Sequence, residues 1–215
     1  MTGLFHALQA AISFRTVYNM VTMKLAEKGE IRNRIKSILA GLSKEDIASK
    51  SLRIARSVEE LESFQAANVV MLYLPIPGEV DVLPLAKEAW ANGKIVVSPT
   101  ACDHCHSMRT VICRPENEEM FHSGYGLRQP DRGLGELSPA EIDLVVVPAL
   151  AFDPQCNRLG RGGGFYDRFL ARDEVRAKTL GVAFAEQILP GVPIQPEDHP
   201  VDWVVTDTQT YTKES

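Results

Sequence analysis

The sequence predicts an α/β fold in three layers, Rossmann-like, with a mostly parallel central sheet covered by helices on both faces. Continuous apolar runs of strand length, such as 69–74 and 143–148, alternate along the chain with helical patterns. Strands that are apolar on both sides are typical of parallel sheets buried on both faces. A length of 215 residues, 45% of them hydrophobic and 24% charged, suits a single globular domain of this kind.

The N-terminal half of the predicted domain opens with two helices. From Lys24 onward, apolar residues recur at helical spacing on one face. They are Ile31, Ile35, Ile38 and Leu42. Gly41 is a stop signal, and the segment Ser43–Asp46 predicts a capping box at the start of the second helix. Its carboxylates also suit the positive end of the helix dipole.

The remaining elements follow from strand-length apolar runs and from helical patterns between them. Further helices are predicted at 82–92 and 165–172, and strands at 69–74, 95–98, 110–113, 143–148, 179–184 and 203–206. The stretch 114–141 predicts a long loop with one hairpin. Residues 1–23 contain no Asp or Glu, so we expect a disordered N-terminal extension, or an upstream start with Met20 or Met23 as the working initiator, followed by one domain at 24–215. An organellar transit peptide is the alternative interpretation of that extension.

Charge and composition exclude several classes of protein. Asp and Glu number 28 against 23 Lys and Arg, a net charge of −5, whereas nucleic-acid binding favours a basic domain. No run of 18 apolar residues is present, so no membrane span is predicted. The four cysteines do not form a dense disulfide framework, which predicts reduced thiols and a cytoplasmic location. We expect a monomer.

The segment Arg158–Arg168 carries the strongest chemical signal. Four of its glycines fall within five residues, 160–164, and let the backbone approach a ligand closely. Backbone N–H groups at the start of the following helix can form an anion-binding nest. Arg158 and Arg161 add guanidinium groups that suit phosphate oxygens. Because the segment follows the clearest strand, it lies where open α/β sheets bind ligands.

Two familiar phosphate loops do not fit this segment. A P-loop ends in Gly-Lys-Ser/Thr, which is missing here. The dinucleotide fingerprint needs glycine at its sixth position, and counting from Gly160 that position is Phe165. A tight strand-to-helix turn without a ligand is the plainer alternative, and Arg158, Arg161 and Asp167 argue against it.

The segment Arg158–Arg168 resembles the signature of the 5-formyltetrahydrofolate cyclo-ligase family, also called methenyltetrahydrofolate synthetases. Four other segments fit that family in the same order: Lys28–Arg32, Leu74–Asp81, Gly181–Gln187 and Asp198–Asp207. The resemblance implies a reaction in which ATP and Mg²⁺ close 5-formyltetrahydrofolate to 5,10-methenyltetrahydrofolate, releasing ADP and phosphate. Phosphoryl transfer of this type needs positioning and charge neutralisation more than a nucleophilic triad.

The resemblance also implies roles for individual residues. ATP would be bound by Lys28, Arg32, Arg158, Gly160, Arg161, Gly162, Gly163, Gly164, Phe165 and Tyr166. Folate would be bound by Leu74, Glu79, Tyr125, Arg161, Gly162, Gly163, Gly164 and Phe165. Mg²⁺ would be held by Asp167 and Asp198, since this cation prefers carboxylate oxygens. Arg161 and Arg158 would be catalytic. We therefore expect Arg158, Arg161 and Asp167 to share one cavity that reaches Glu79.

Several of these residues have plainer alternatives. Lys28 and Arg32 could lie on a solvated helix face, Asp198 could be a turn residue, and Tyr125 could pack on its own loop. Gly163 stands where some members of the family have Lys, and Phe165 stands where many have Tyr. Their presence motivates a second interpretation, a non-catalytic folate- or nucleotide-binding module of the same fold.

The segment Cys102–His106 reads Cys-Asp-His-Cys-His, which spells a haem attachment motif and offers zinc ligands. Haem attachment requires export, and no export signal is evident. A zinc site on Cys102, Cys105 and His106 would need further ligands, for which Cys113 and His122 lack the standard spacing. A surface loop that is rich in Cys and His is the simplest interpretation.

Overall fold

The computed structural model describes residues 27–102, 107–121 and 135–213. Its strands are β1 (Val69–Met71), β2 (Ile95–Cys102), β3 (Ser107–Cys113), β4 (Leu144–Val147), β5 (Ala151–Phe152), β6 (Arg158–Leu159), β7 (Lys178–Ala183), β8 (Trp203–Thr206) and β9 (Thr210–Thr212). Its helices are α1, described over 27–40, α2 (Lys44–Glu59), α3 (Glu62–Ala66), α4 (Leu83–Ala91) and α5 (Phe165–Leu170). Short 3₁₀ helices lie at Pro115–Phe121, Pro139–Glu141 and Ala185–Gln187.

Seven of the described strands form one sheet in the order β3-β2-β1-β4-β7-β8-β9. The five inner strands are parallel, and β3 and β9 are antiparallel edges. β5 and β6 pair separately as a short ribbon. From β1 the chain proceeds to β2 on one side, and from β4 it proceeds to β7 on the other. The direction therefore reverses between β1 and β4, and ligands bind at the carboxyl ends of strands at such a point.

The sheet is buried on both faces, as its apolar sequence predicts. Every residue of β4 is buried, and so is every residue of β1. Because successive side chains in a strand point to opposite faces, this pattern requires cover on both sides. α2 packs against α4 and β8, and α5 packs against β3. The predicted α/β fold with a mostly parallel sheet is thereby confirmed.

The predicted start of the second helix is also confirmed. Ser43 Oγ accepts a hydrogen bond from the backbone N–H of Asp46 at 3.0 Å, and the Asp46 carboxylate accepts one from the backbone N–H of Ser43. This reciprocal capping box satisfies two backbone donors at the helix end. Upstream, helix α1 ends before Gly41.

Several details differ from the sequence prediction, among them the length of β2, which runs to Cys102 and not to Ser98. The apolar face of α1 is built on Ile35 and Leu39, while Ile38 is 37% exposed, so its place in the predicted stripe was wrong. β1 ends at Met71, although residues 72–74 remain buried. α5 ends at Leu170, two residues earlier than predicted. Within 114–141 the described part contains two 3₁₀ helices, and 122–134, where the predicted hairpin would fall, lie outside the described residues.

The helices in the described ranges are all too short or too polar to cross a lipid bilayer. Residues 1–23 lie outside the described ranges, and the N-terminal extension stays a prediction.

Candidate active site

A short ribbon positions the glycine-rich turn. β5 and β6 pair antiparallel, and the loop between them is organised by Asp153, which is buried. Asp153 Oδ1 accepts hydrogen bonds from the backbone N–H groups of Gln155 and Asn157, and Oδ2 accepts one from Val192. Such Asx turns fix a loop through side-chain acceptors. Sequence reasoning missed Asp153, although the Asp-Pro pair that it opens is a turn signal.

Glycine is required by the backbone at two positions of the turn. Gly162 has φ +107° and Gly164 has φ +64°, values that other residues rarely adopt. A Cβ on Gly164 would also lie 2.7 Å from Arg168 Nη1. The following helix, α5, has only six residues, so its dipole adds little to anion binding. An anion held here depends instead on guanidinium groups and on the N–H groups of the turn.

The turn lines two cavities, the first of which lies at the carboxyl ends of β1 and β4. The first, which we call the apolar cavity, has a volume of about 190 Å³ and is lined by Tyr73, Leu74, Ile76, Glu79, Phe165 and Tyr166, among others. The second, the charged cavity, has a volume of about 540 Å³ and is lined by Lys28, Arg32, Arg168, Gln195, Glu197 and Asp198, among others. Both are also lined by Arg158, Gly160, Gly163, Gly164 and Asp167.

Arg158 is fixed where the two cavities meet. Its Nη2 donates to Asp167 Oδ1 at 2.6 Å, and its Nε donates to the His199 carbonyl at 2.9 Å. The backbone N–H of His199 in turn donates to the same Asp167 oxygen at 3.2 Å. Burial lowers the pKa of Arg158, and the neighbouring Asp167 charge opposes that shift. The guanidinium is therefore held in one orientation by partners on two other segments.

Arg161 connects the turn to the loop after β1. Its Nε donates to Glu79 Oε1 at 2.9 Å, and the other Glu79 oxygen accepts from the backbone N–H of Ile76 at 3.2 Å. Burial raises the pKa of Glu79, although Arg161 and the Ile76 N–H act in the opposite direction. Arg158, Arg161 and Asp167 thus line one cavity with Glu79, as the sequence predicted.

Two basic residues of α1, Lys28 and Arg32, line the charged cavity. Lys28 is only 3% exposed, so a solvated helix face does not describe it. Its Nζ lies 2.6 Å from Asp198 Oδ2 and 2.9 Å from Gln195 Oε1. Arg32 Nε donates to the Gly160 carbonyl at 3.0 Å, which fixes the start of the glycine turn. Both residues therefore line the charged cavity in contact with other site residues.

The carboxylates of the site suit a Mg²⁺ ion that takes its remaining ligands from phosphate and water. No group of three or more His, Cys, Asp or Glu residues is arranged to bind a metal within the described part of the chain. Mg²⁺ is commonly held by one or two carboxylates together with phosphate oxygens and water, so it needs no such group. Asp167 lines both cavities and offers one carboxylate. The second predicted ligand, Asp198, is paired with Lys28.

The structure leaves two predicted sites outside its described ranges. Tyr125, predicted to contact folate, lies there, and so do residues 103–106 of the Cys- and His-rich segment. Cys113, offered as a further zinc ligand, is buried, and burial raises the pKa of its thiol.

Tyr73 was not singled out in the sequence, yet it lines the apolar cavity, and its hydroxyl donates a hydrogen bond to the Val80 carbonyl at 2.7 Å.

These features define a class of protein, an open α/β domain in which one glycine turn lines both an apolar and a charged cavity. The chain belongs to the 5-formyltetrahydrofolate cyclo-ligase family, because the model of that family matches residues 24–207. The mouse 5-formyltetrahydrofolate cyclo-ligase is 31% identical over 194 residues, which cover 86% of this chain and 95% of the mouse protein. A probable 5-formyltetrahydrofolate cyclo-ligase of Schizosaccharomyces pombe is 30% identical, covering 84% and 95%.

Solved structures show the same relationship. The 5,10-methenyltetrahydrofolate synthetase of Aquifex aeolicus superposes with a TM-score of 0.72 at 28% identity, covering 87% of this chain and 93% of that one. The enzyme of the same name from Mycoplasma pneumoniae has a TM-score of 0.68 at 21% identity, which supports the fold. The family suggested by the sequence motifs is thereby confirmed.

Proposed function

We propose that this chain catalyses the ATP- and Mg²⁺-dependent cyclisation of 5-formyltetrahydrofolate to 5,10-methenyltetrahydrofolate, with release of ADP and phosphate. The observation that carries the proposal is the pair of cavities on either side of the glycine turn. The apolar cavity suits a ring system, and the charged cavity suits a triphosphate. Since Arg158 and Asp167 line both, groups bound in the two cavities can react with each other.

The proposed reaction needs ATP because the formyl oxygen of the substrate is a poor leaving group. The formyl oxygen of an amide does not leave readily, so it first attacks the γ-phosphorus of ATP, and ADP departs. N10 of the folate then attacks the formyl carbon and loses its proton. The carbon–oxygen bond breaks, and the oxygen leaves as part of inorganic phosphate. The net change is one new C–N bond per ATP consumed.

The basic residues neutralise the charge that this transfer develops. Arg158 is held rigidly by Asp167 and His199, so little reorganisation is needed when the phosphoryl group approaches. Arg161 can exchange Glu79 for phosphate oxygens, because it is partly exposed and lies on the turn itself. Lys28 and Arg32 bring two further positive charges to the charged cavity. Phosphoryl transfer depends mainly on positioning and electrostatics of this sort.

Mg²⁺ would be held by Asp167, with Asp198 as the second carboxylate. When bound, the ion neutralises the negative charge of the phosphate oxygens. Asp167 keeps its position through the hydrogen bonds that Arg158 and the His199 N–H donate to it. Asp198 is kept in place by Lys28 and by the backbone N–H of Gln195.

The test is to incubate the purified chain with 5-formyltetrahydrofolate and to follow the absorbance of the methenyl product. Product should accumulate only when ATP and Mg²⁺ are both present, with one ADP released per methenyl group. Binding of folate and ATP without any product would favour the non-catalytic module instead. A preparation that binds neither compound would overturn both interpretations.

A further inference from the structure

Tyr166 is a buried polar residue whose hydroxyl is unsatisfied. The residue is 7% exposed, and its Oη has no hydrogen-bond partner among the residues that the structure describes. It lines the apolar cavity but not the charged cavity. The sequence resemblance had placed Tyr166 with ATP, whereas in the structure it lines only the apolar one of these two cavities.

An unpaired buried hydroxyl is costly, so its presence needs an explanation. Buried polar groups nearly always find a partner, and one left unpaired bears the full cost of its lost hydration. Tyr73 lines the same cavity and shows the usual solution, because its hydroxyl donates to the Val80 carbonyl at 2.7 Å. A tyrosine phenol carries an O–H group that can donate one hydrogen bond. A hydroxyl in this state is ready for an acceptor on a ligand.

We propose that the Tyr166 hydroxyl donates a hydrogen bond to the formyl oxygen of the bound folate. Tyr166 would then recognise the formyl group of the substrate. This inference rests on the proposed function. Glu79 and Arg158 line the apolar cavity together with Tyr166. Its chain neighbour Asp167, like Arg158, lines both cavities, and the reacting oxygen has to lie where the two cavities meet.

The hydrogen bond would act twice in the reaction. In the substrate complex it orients the formyl oxygen towards the γ-phosphoryl group. After phosphoryl transfer the same oxygen bridges carbon and phosphorus, and the phenol stabilises it as the carbon–oxygen bond breaks. The proton stays on Tyr166 throughout, so the balance of the reaction is unchanged.

The first experiment uses the variant Tyr166→Phe, which removes one oxygen atom and leaves the ring. Because the lost hydroxyl is unsatisfied in the free protein, we expect Tm to rise by about 2–4 °C. Tyr73→Phe is the matched control, since it deletes a hydrogen bond that is made, and its Tm should fall. A fall in Tm for Tyr166→Phe that equals the fall for Tyr73→Phe would show an ordinary structural hydroxyl and overturn the proposal.

The second experiment measures binding, without turnover, of two folates to the wild type and to Tyr166→Phe. 5-Formyltetrahydrofolate presents the acceptor, and 5-methyltetrahydrofolate lacks it. The variant should bind the formyl compound about tenfold more weakly, and the methyl compound and ATP as tightly as the wild type does. Equal weakening for both folates, a loss confined to ATP, or no change would each overturn the proposal.

The two proposals fail in distinguishable ways. If the wild type forms no methenyl product, the proposed function fails, yet the difference between the two folates still tests Tyr166. If the wild type turns over and Tyr166→Phe keeps its kcat and its KM for 5-formyltetrahydrofolate, only the inference about Tyr166 fails. The expected result is a loss in kcat/KM for the folate together with an unchanged KM for ATP.

Discussion

Arg158 Nη2 lies 2.6 Å from Asp167 Oδ1, and this ion pair joins the strand before the glycine turn to the helix after it. The turn is therefore closed at its base by two side chains that also line both cavities. Since the Arg158 side chain is only 3% exposed, its buried positive charge is stabilised by the Asp167 carboxylate. The geometry of the site and the stability of the turn are thus linked through one pair.

Asp167→Asn tests that link. The amide keeps an acceptor for Arg158 but loses the charge, so we expect the free energy of unfolding to fall by about 1–3 kcal/mol. Cyclisation should fall strongly, and the remaining activity should require more Mg²⁺. Asp173→Asn, at an exposed carboxylate soon after α5, is the control. A normal metal titration for Asp167→Asn would remove the proposed Mg²⁺ role.

Arg161→Ala tests the role of the partly exposed Arg161 guanidinium. Arg161 is partly exposed and forms its ion pair with Glu79, so the fold should survive its removal. Cyclisation should fall by about 10²–10³-fold, as is usual when a donor to developing charge is lost. Arg176→Ala, at an exposed arginine, controls for the change in net charge. Unchanged turnover in Arg161→Ala would refute its role in phosphoryl transfer.

The Lys28–Asp198 pair should show strong coupling. Lys28→Met, Asp198→Asn and the double variant form a thermodynamic cycle, measured by denaturant unfolding. Because Lys28 is buried, each single variant leaves one charge without its opposite charge, and we expect a coupling energy of about 0.5–3 kcal/mol. The exposed pair Lys87–Glu118, at 3.2 Å, should give about 0–1 kcal/mol in a parallel cycle. Additive effects at Lys28 and Asp198 would contradict the observed contact.

Glu79 should make stability depend on pH. Burial raises its pKa in the folded protein above its ordinary value of 4.5, so the folded state holds more protons than the unfolded chain between the two pKa values. The contribution of Glu79 is complete below its ordinary pKa and is lost as pH rises through the folded-state pKa. Glu79→Gln removes this titration, so its Tm relative to wild type should be higher at pH 7 than at pH 4.

The control for the Glu79 experiment is Glu30→Gln, at an exposed glutamate of α1. Its Tm should follow that of the wild type at both pH values. If the difference in Tm between Glu79→Gln and wild type stays constant with pH, the folded-state shift of Glu79 is refuted.

Gly181 tests the packing of the sheet. A Cβ at this position in β7 would lie 2.5 Å from Phe152 Cε1, and Phe152 is fully buried. Gly181→Ala should therefore lower the free energy of unfolding by about 1–3 kcal/mol through overpacking. Gly191→Ala is the matched control, because a Cβ there meets no atom within 4 Å. Equal Tm values for the two variants would contradict the packing of Phe152 on β7.

The sheet could be predicted because each strand is marked by the residue types of its own short segment. The apolar run around β4 and the capping box at Ser43 both depend on neighbouring residues alone, and both are confirmed. The exposed Ile38 shows the limit of that approach. Helical spacing identifies an apolar face, but only the packing of α1 on the core decides which edge of the face is buried.

The site could be predicted as a set of residues but not as an arrangement. The glycines and arginines of 158–164 predict an anion site through their residue types and their spacing. Nothing in the sequence indicates that Lys28 pairs with Asp198, which is 170 positions away, or that Asp153 organises the preceding loop. The place of Tyr166 in the wall of the apolar cavity likewise depends on tertiary packing, which is why the sequence motif grouped it with ATP.

Transfer of the formyl oxygen to phosphate is the step on which the proposed reaction depends. It can be followed with 5-formyltetrahydrofolate that carries ¹⁸O in its formyl group, with Mg²⁺ and unlabelled ATP, and with mass analysis of the phosphate released. We predict that each phosphate formed in step with the methenyl product carries the label. Methenyl product accompanied by unlabelled phosphate would contradict phosphoryl activation of the formyl oxygen.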